Sequence, residues 1–215
     1  MTVFLQHNRV KLALHTLREG SGPRLLLLHA LGERSPAGVP GSLSAWPGAV
    51  YALDFTGHGA STVPSGGGYT AEVLMGDADV ALAAIGPATI VGRGLGGYIG
   101  LLLAGARPRE VRGVAILDGP GLAGGGDRPG PAVVRGVPGA HAAPDPFALV
   151  ELGSDLRPRE YVRRFAELAT AECPIPNPVA VCARQRPAWL QAVLEVPGVV
   201  EEELASALHR FAAAG

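Results

Sequence analysis

The chain has 215 residues, 47% of them hydrophobic and 17% charged, and a formal net charge of −1 at pH 7. That length and apolar content suit one domain with its own core and exclude a disordered chain. The balanced charge, with no basic stripe, gives nucleic acid nothing to bind.

In chain order, VFLQHNRV and KLALHTLRE alternate apolar and polar residues, as the strands of a half-exposed antiparallel hairpin do. The Gly-Ser-Gly-Pro at 20–23 ends that hairpin. RLLLLH, AVYALDF, ATIVG and VRGVAILD are continuous apolar runs, suited to strands buried on both faces. Between them lie two helical patterns, TAEVLMGDADVALAAIG (Val73, Leu74, Asp77 and Val80 at helical spacing) and LGGYIGLLLAGA. The alternation predicts an α/β fold with a mostly parallel sheet and right-handed crossovers.

Residues 119–144 are too dense in glycine and proline for regular structure and read as a long loop. DPFALVELGSD and PREYVRRFAELATAE are predicted helices, the second with an apolar stripe from Tyr161 through Phe165 to Leu168. NPVAVCA is the next strand. AVLEV reads either as an eighth strand or as the tail of a helix begun at Pro187. VVEEELASALHRFAA reads as one helix with an acidic first turn.

Cys173 and Cys182 make no CxxC or metal spacing, and Cys182 in PVAVCA reads as a buried free thiol. No metal and no cofactor are expected. MTVFLQHNRV lacks a basic region followed by an apolar run, so no secretory leader is expected, and no apolar run approaches the ~18 residues that span a bilayer. The expected location is the cytoplasm, with no membrane partner.

Three motifs fall at the ends of successive predicted strands: LLLLHALGERS, ALDFTGHGAS and VGRGLGGYIG. In that order and spacing they resemble the α/β-hydrolase family, over residues 24–118 in particular. The resemblance implies a mostly parallel sheet with an N-terminal antiparallel hairpin and a reduced helical cap. It implies residues 1–118 as the N-terminal part of the core and 119–144 as the loop. The cap then covers 145–172 and the C-terminal part of the core 173–215, all in one domain. It further implies a nucleophile elbow at Gly92-Arg93-Gly94-Leu95-Gly96, with the backbone N–H groups of Leu31 and Leu95 as an oxyanion hole.

The departures from the family pattern are chemical. The nucleophile position is Gly94, which has no side chain. The strand expected to precede the catalytic acid is followed by Arg184, Gln185, Arg186 and Pro187, and no aspartate occurs after Asp155. The only late histidine, His209, lies inside the predicted last helix. Asp118 stands at an alternative acid position but reads as a support for its own loop GPG. His29, His58, Asp54 and Ser61 read as loop braces, and Tyr98 and Trp189 as packing residues. His29, His58, Asp118 and His141, the last in the Gly/Pro-rich loop, are the candidates for any surviving chemistry.

The reading is a pseudoenzyme that binds a small carbonyl-containing or anionic ligand, or a protein partner. An alternative is an enzyme with a non-standard site: a lyase, a cyclase, or a weak esterase or thioesterase. A second alternative is a Rossmann-type dinucleotide site. Gly92, Gly94 and Gly97 satisfy G-x-G-x-x-G after a strand, with Asp118 ending the next strand.

Overall fold

The computed structural model describes residues 1–121, 142–155 and 157–214. Eight strands form one sheet in the order β1-β2-β4-β3-β5-β6-β7-β8. β1 (Thr2–His7) and β2 (Val10–Arg18) are the antiparallel hairpin, turned at Asn8, whose φ is +53°. β2 also pairs antiparallel with β4 (Val50–Leu53). From there β3 (Arg24–Leu28), β5 (Ala88–Arg93), β6 (Val111–Leu117), β7 (Val179–Val181) and β8 (Val199–Glu201) run parallel.

Six helices complete the described residues: α1 (Ala71–Ile85), α2 (Leu95–Ala106), α3 (Pro146–Gly153), α4 (Arg159–Glu172), α5 (Ala188–Leu194) and α6 (Leu204–Ala214). Thr70 caps α1 through the Val73 N–H, and Asp145 caps α3 through the Phe147 N–H.

The period of two in the strands sorts their residues onto two faces. Leu26, Leu28, Ile90, Val114 and Ile116 pack with buried residues of α1, α2, α4 and α5. Leu25, Leu27, Val91 and Ala115 face the other way, onto Leu208 and Phe211 of α6 and onto Leu43 and Trp46. Phe211 of α6 buries completely over Gly113 of β6, where a Cβ would collide with its ring. Strand ends from β3, β5, β6 and β7 therefore meet at one edge, between unequal helical layers. Ligand sites of open parallel sheets form at that edge.

In the C-terminal region one open alternative is decided and one expectation corrected. AVLEV is the tail of the helix begun at Pro187, its first three residues belonging to α5, and the eighth strand is Val199–Glu201. Val199 and Val200 pair in parallel with Val179 and Ala180. The crossover from residue 182 to 198 holds α5, so it is long enough for a parallel connection. As a result Glu201–Glu203 are not the first turn of the last helix. α6 begins at Leu204 with no acidic residue in its first turn.

Cys182 lies just past β7 and is half-buried rather than buried, with desolvation pushing its thiol up to about 12. No helix among the described residues is long and apolar enough to cross a membrane.

Candidate functional site

β5 ends at Arg93 and α2 begins at Leu95, so the whole reversal falls on Gly94, with φ +46° and ψ −111°. An L side chain in that sparsely populated region costs about 1–3 kcal/mol. The turn is tight because the first turn of α2 lies on the end of β3. A Cβ on Gly96 would stand 2.2 Å from the Leu28 carbonyl oxygen.

The N–H groups of Leu31 and Leu95 do converge on one point, and an oxygen already occupies it. Both donate to the carbonyl of Pro120, at 3.0 and 2.9 Å. The chain leaves β6 through Asp118, crosses over the elbow and lays Gly119–Gly121 on it. A Cβ on Gly94 would stand 2.1 Å from the Pro120 oxygen and 2.4 Å from that of Gly119. Gly94 is thus required for space as well as for its dihedral angles.

His29 and His58 sit beside the elbow with ring centroids 5.0 Å apart. His29 Nδ1 donates to the Ala30 carbonyl at 2.8 Å, and Nε2 accepts the Phe55 N–H at 3.1 Å. His58 Nδ1 donates to the Thr56 carbonyl at 3.1 Å, and Nε2 accepts the Gly32 N–H at 3.3 Å. These partners assign each ring as the neutral Nδ1–H tautomer and leave neither nitrogen free. Burial, helped by the neighbouring His58, pushes the His29 pKa down to about 4, and burial lowers that of His58 as well.

Asp54 ties three segments together. It accepts the Ser35 N–H at 2.7 Å, the Ala60 N–H at 2.8 Å and a hydrogen bond from His15 Nε2 at 2.9 Å. Burial works to raise its pKa, but these donors outweigh it and hold the carboxyl below its ordinary value. Ser61 Oγ donates to the Asp54 carbonyl at 2.6 Å and accepts the Ala13 N–H at 2.8 Å.

Asp118 does not cap its own loop, as the sequence suggested. Its carboxylate accepts the N–H of Arg184 at 2.9 Å and of Gln185 at 2.8 Å, fastening the end of β6 to the loop after β7. The reason is the parallel register: Ile116 pairs with Val181, which brings the two strand exits side by side. Desolvation opposes the charge, yet the two N–H groups win and lower the Asp118 pKa. His209 is exposed on α6, and His141 lies outside the described residues. Tyr98 and Trp189 pack edge to face at 5.1 Å.

Sequence reasoning missed two features. Pro120 carries no signal as an acceptor, because every residue has a carbonyl; only the flanking Gly119 and Gly121 mark a close approach. Asp77 was legible as an anomaly, an acid at core-facing spacing. It is fully buried and accepts from His7 Nδ1 at 2.7 Å, Thr56 Oγ1 at 3.0 Å and the Thr56 N–H at 2.8 Å. Desolvation raises its pKa against those bonds.

Beside Gly94 opens a cleft of about 600 Å³, walled by Ile116, Asp118, Gln185, Arg186 and Trp189 and roofed by Gly119–Gly121. Among the described residues no group of three or more His, Cys, Asp or Glu side chains is placed to hold a metal ion.

A hypothetical protein from Pseudomonas aeruginosa PAO1 has a similar structure over 99% of this chain and 97% of its own, with a TM-score of 0.65 and 18% identity. A Vigna radiata epoxide hydrolase matches over 54% of this chain and 39% of its own, with a TM-score of 0.46 and 22% identity. The chain thus spans about two fifths of that enzyme's length. The sheet order and its antiparallel first hairpin make the fold α/β-hydrolase-like. At these identities the likeness bears on fold alone. No family model and no curated protein matches the sequence.

The dinucleotide alternative gains nothing from the structure. The Leu95 N–H at the helix start, where a pyrophosphate would bind, is taken by Pro120. The Asp118 carboxylate, which would hold a ribose hydroxyl, is taken by Arg184 and Gln185.

Proposed function

We propose that this protein is a non-hydrolytic scaffold of the α/β-hydrolase type, a pseudoenzyme that binds a ligand in the cleft beside Gly94. The observation that carries the reading is the Pro120 carbonyl in the hole. The point where a reacting carbonyl oxygen would be held is filled by the chain itself, and the space for a nucleophile side chain is filled with it.

Hydrolysis needs a nucleophile and a base within hydrogen-bond reach of it. Gly94 offers no nucleophile. The ring nitrogens of His29 and His58 are engaged, and the Asp118 carboxylate is committed to backbone donors. The same commitments weigh against a lyase, cyclase or weak thioesterase, each of which needs a free titrating group. On this reading α3 is what remains of a cap, and α4 after it packs in the core layer beside α2. The segment is fastened by Tyr69 Oη donating to Asp145 at 2.6 Å and by Arg157 forked onto Glu72 at 2.6 and 2.8 Å.

The ligand class is a small carbonyl-containing or anionic molecule. Pro120 itself is the precedent, a carbonyl oxygen accepted at 2.9 and 3.0 Å by two backbone donors. A ligand carbonyl or carboxylate would compete with it for the same pair.

The test is turnover of p-nitrophenyl acetate and butyrate, expected at the buffer background. Saturable turnover that survives repurification and is lost in His58→Ala, Asp118→Asn or His141→Ala would overturn the reading.

A further inference from the structure

Away from the elbow, the N-terminal hairpin lines up a hydroxyl, an imidazole and a carboxylate. Thr2 of β1 and His15 of β2 are cross-strand partners, and Asp54 follows β4 on the other side of β2. His15 Nε2 is 2.9 Å from Asp54 Oδ2, and His15 Nδ1 is 2.9 Å from Thr2 Oγ1. β1 is already paired with β2 at all six of its residues, so this side-chain relay is not what sets the hairpin's register.

The role of each group follows from its partners. Asp54 also accepts the N–H groups of Ser35 and Ala60, at 2.7 and 2.8 Å, and these donors hold its carboxyl ionised. An ionised carboxylate only accepts, so His15 Nε2 carries the ring proton. In the neutral ring Nδ1 then holds the lone pair, and the Thr2 hydroxyl is the donor to it. The Thr2 proton thus points at a base whose far nitrogen is fixed by a buried acid. Nucleophile, base and orienting carboxylate, each within hydrogen-bond reach of the next, are the parts that activate a hydroxyl for attack on a carbonyl carbon.

The relay is open where it has to be. Thr2 is exposed, His15 half-buried and Asp54 buried behind it. All three line a cleft of about 680 Å³, with Leu17, Pro36 and Ala37 as its apolar wall. That cleft shares no lining residue with the one beside Gly94.

We propose that Thr2 is an acyl acceptor, taking the acyl group of a thioester bound in this cleft, with His15 as its base and Asp54 as the residue that orients His15. In the step, Thr2 Oγ1 bonds to the thioester carbonyl carbon and the C–S bond breaks. The Thr2 proton passes to His15 Nδ1 and on to the departing sulfur, leaving O-acylated Thr2, a free thiol and the neutral ring. The step runs once. A thiol has a pKa of about 8.5, so its thiolate leaves readily, whereas removing the acyl group again would have to expel the Thr2 alkoxide, a far poorer leaving group. The site is self-acylating rather than hydrolytic, and it does not rest on the function proposed for the cleft beside Gly94.

The experiment treats the full chain with S-phenyl thioacetate and, separately, with diisopropyl fluorophosphate, a reagent for activated hydroxyls. Adducts are mapped by tandem mass spectrometry after neutral hydroxylamine has stripped any thioester from Cys173 and Cys182. The expected result is one acetyl group on Thr2, one equivalent of released thiol and no continuing turnover, with the fluorophosphate on the same residue. Thr2→Ser should keep both reactions and Thr2→Val should lose them. His15→Gln should slow both about 10²-fold with unchanged far-UV circular dichroism. Acetyl found only on the Met1 amine, Lys11 or the cysteines would overturn the assignment, as would the absence of a fluorophosphate adduct at Thr2. So would labelling that is unchanged in His15→Gln, or thiol release that continues past one equivalent and is lost in Thr2→Val.

Discussion

Gly94→Ser is the substitution that, on the proposed reading, would put a hydroxyl at the tip of the elbow, and the geometry there attaches a penalty to it rather than a gain. The new Cβ meets two obstacles. Its own backbone, at φ +46° and ψ −111°, is strained by about 1–3 kcal/mol for an L residue. Its position, 2.1 Å from the Pro120 oxygen and 2.4 Å from that of Gly119, falls inside backbone atoms that cannot swing aside like a side chain. Gly119–Gly121 must leave, and the two hydrogen bonds to Pro120 go with it, at about 1 kcal/mol each. Taken at its lower end, the sum is on the order of 3 kcal/mol. For a domain of this size each kcal/mol moves the melting temperature by about 2–4 °C, so the expected fall is about 6–12 °C. Gly94→Ala should fall as far, because the collision is made by Cβ and not by the hydroxyl. Urea and thermal unfolding of both variants measure it. Ester turnover in Gly94→Ser should stay at background, since a serine hydroxyl without a base is a poor nucleophile. If Gly94→Ala lay within about 0.5 kcal/mol of the parent, Pro120 would not be seated on the elbow. A large gain of ester turnover in Gly94→Ser would place a working histidine nearby and refute the pseudoenzyme reading.

Acid sensitivity follows from the buried imidazoles. His29 has a folded-state pKa of about 4, below its unfolded value of 6.5, so its contribution is complete above pH 6.5 and lost as pH falls towards 4. At about 1.4 kcal/mol per pH unit the loss is on the order of 3 kcal/mol, read as a falling urea midpoint; a flat midpoint from pH 7 to 4.5 would refute it. By NMR the His29 ring should stay neutral down to about pH 5, and a midpoint near 6.5 would contradict the geometry. Asp77→Ala strands the Thr56 N–H and the His7 ring and should cost about 2–4 kcal/mol in urea unfolding, against less than 0.5 if the network contributes nothing. Asp118→Ala frees the N–H groups of Arg184 and Gln185 at a partly exposed site and should cost about 1 kcal/mol, with ester turnover unaltered. A loss of catalysis there would instead make Asp118 a working acid.

What the sequence made legible, and what it did not, divides by the range of the interaction. α2 was readable to the residue, Leu95–Ala106, because a glycine turn followed by an apolar helical run is a local pattern. β8 was not. Val199–Glu201 has no period of its own in three residues, and only its pairing with Val179–Val181, across the α5 crossover, makes it a strand. The same distinction governs the site. Gly94, Gly119 and Gly121 each read as the punctuation of a separate loop. In the fold they are one contact: a Cβ on Gly119 would lie 3.1 Å from the Gly94 nitrogen, and one on Gly121 would lie 3.1 Å from that of Leu95. Backbone therefore meets backbone across the elbow, with no side chain between the two segments. On the proposed reading, the absence of a nucleophile and the filling of the hole are, in consequence, a single steric condition. A side chain at 94 excludes the Pro120 carbonyl, and the seated carbonyl excludes a side chain at 94. On that reading, introducing hydrolysis would need both ends of that contact changed together, with a base supplied as well, which is why no single substitution at Gly94 is expected to achieve it.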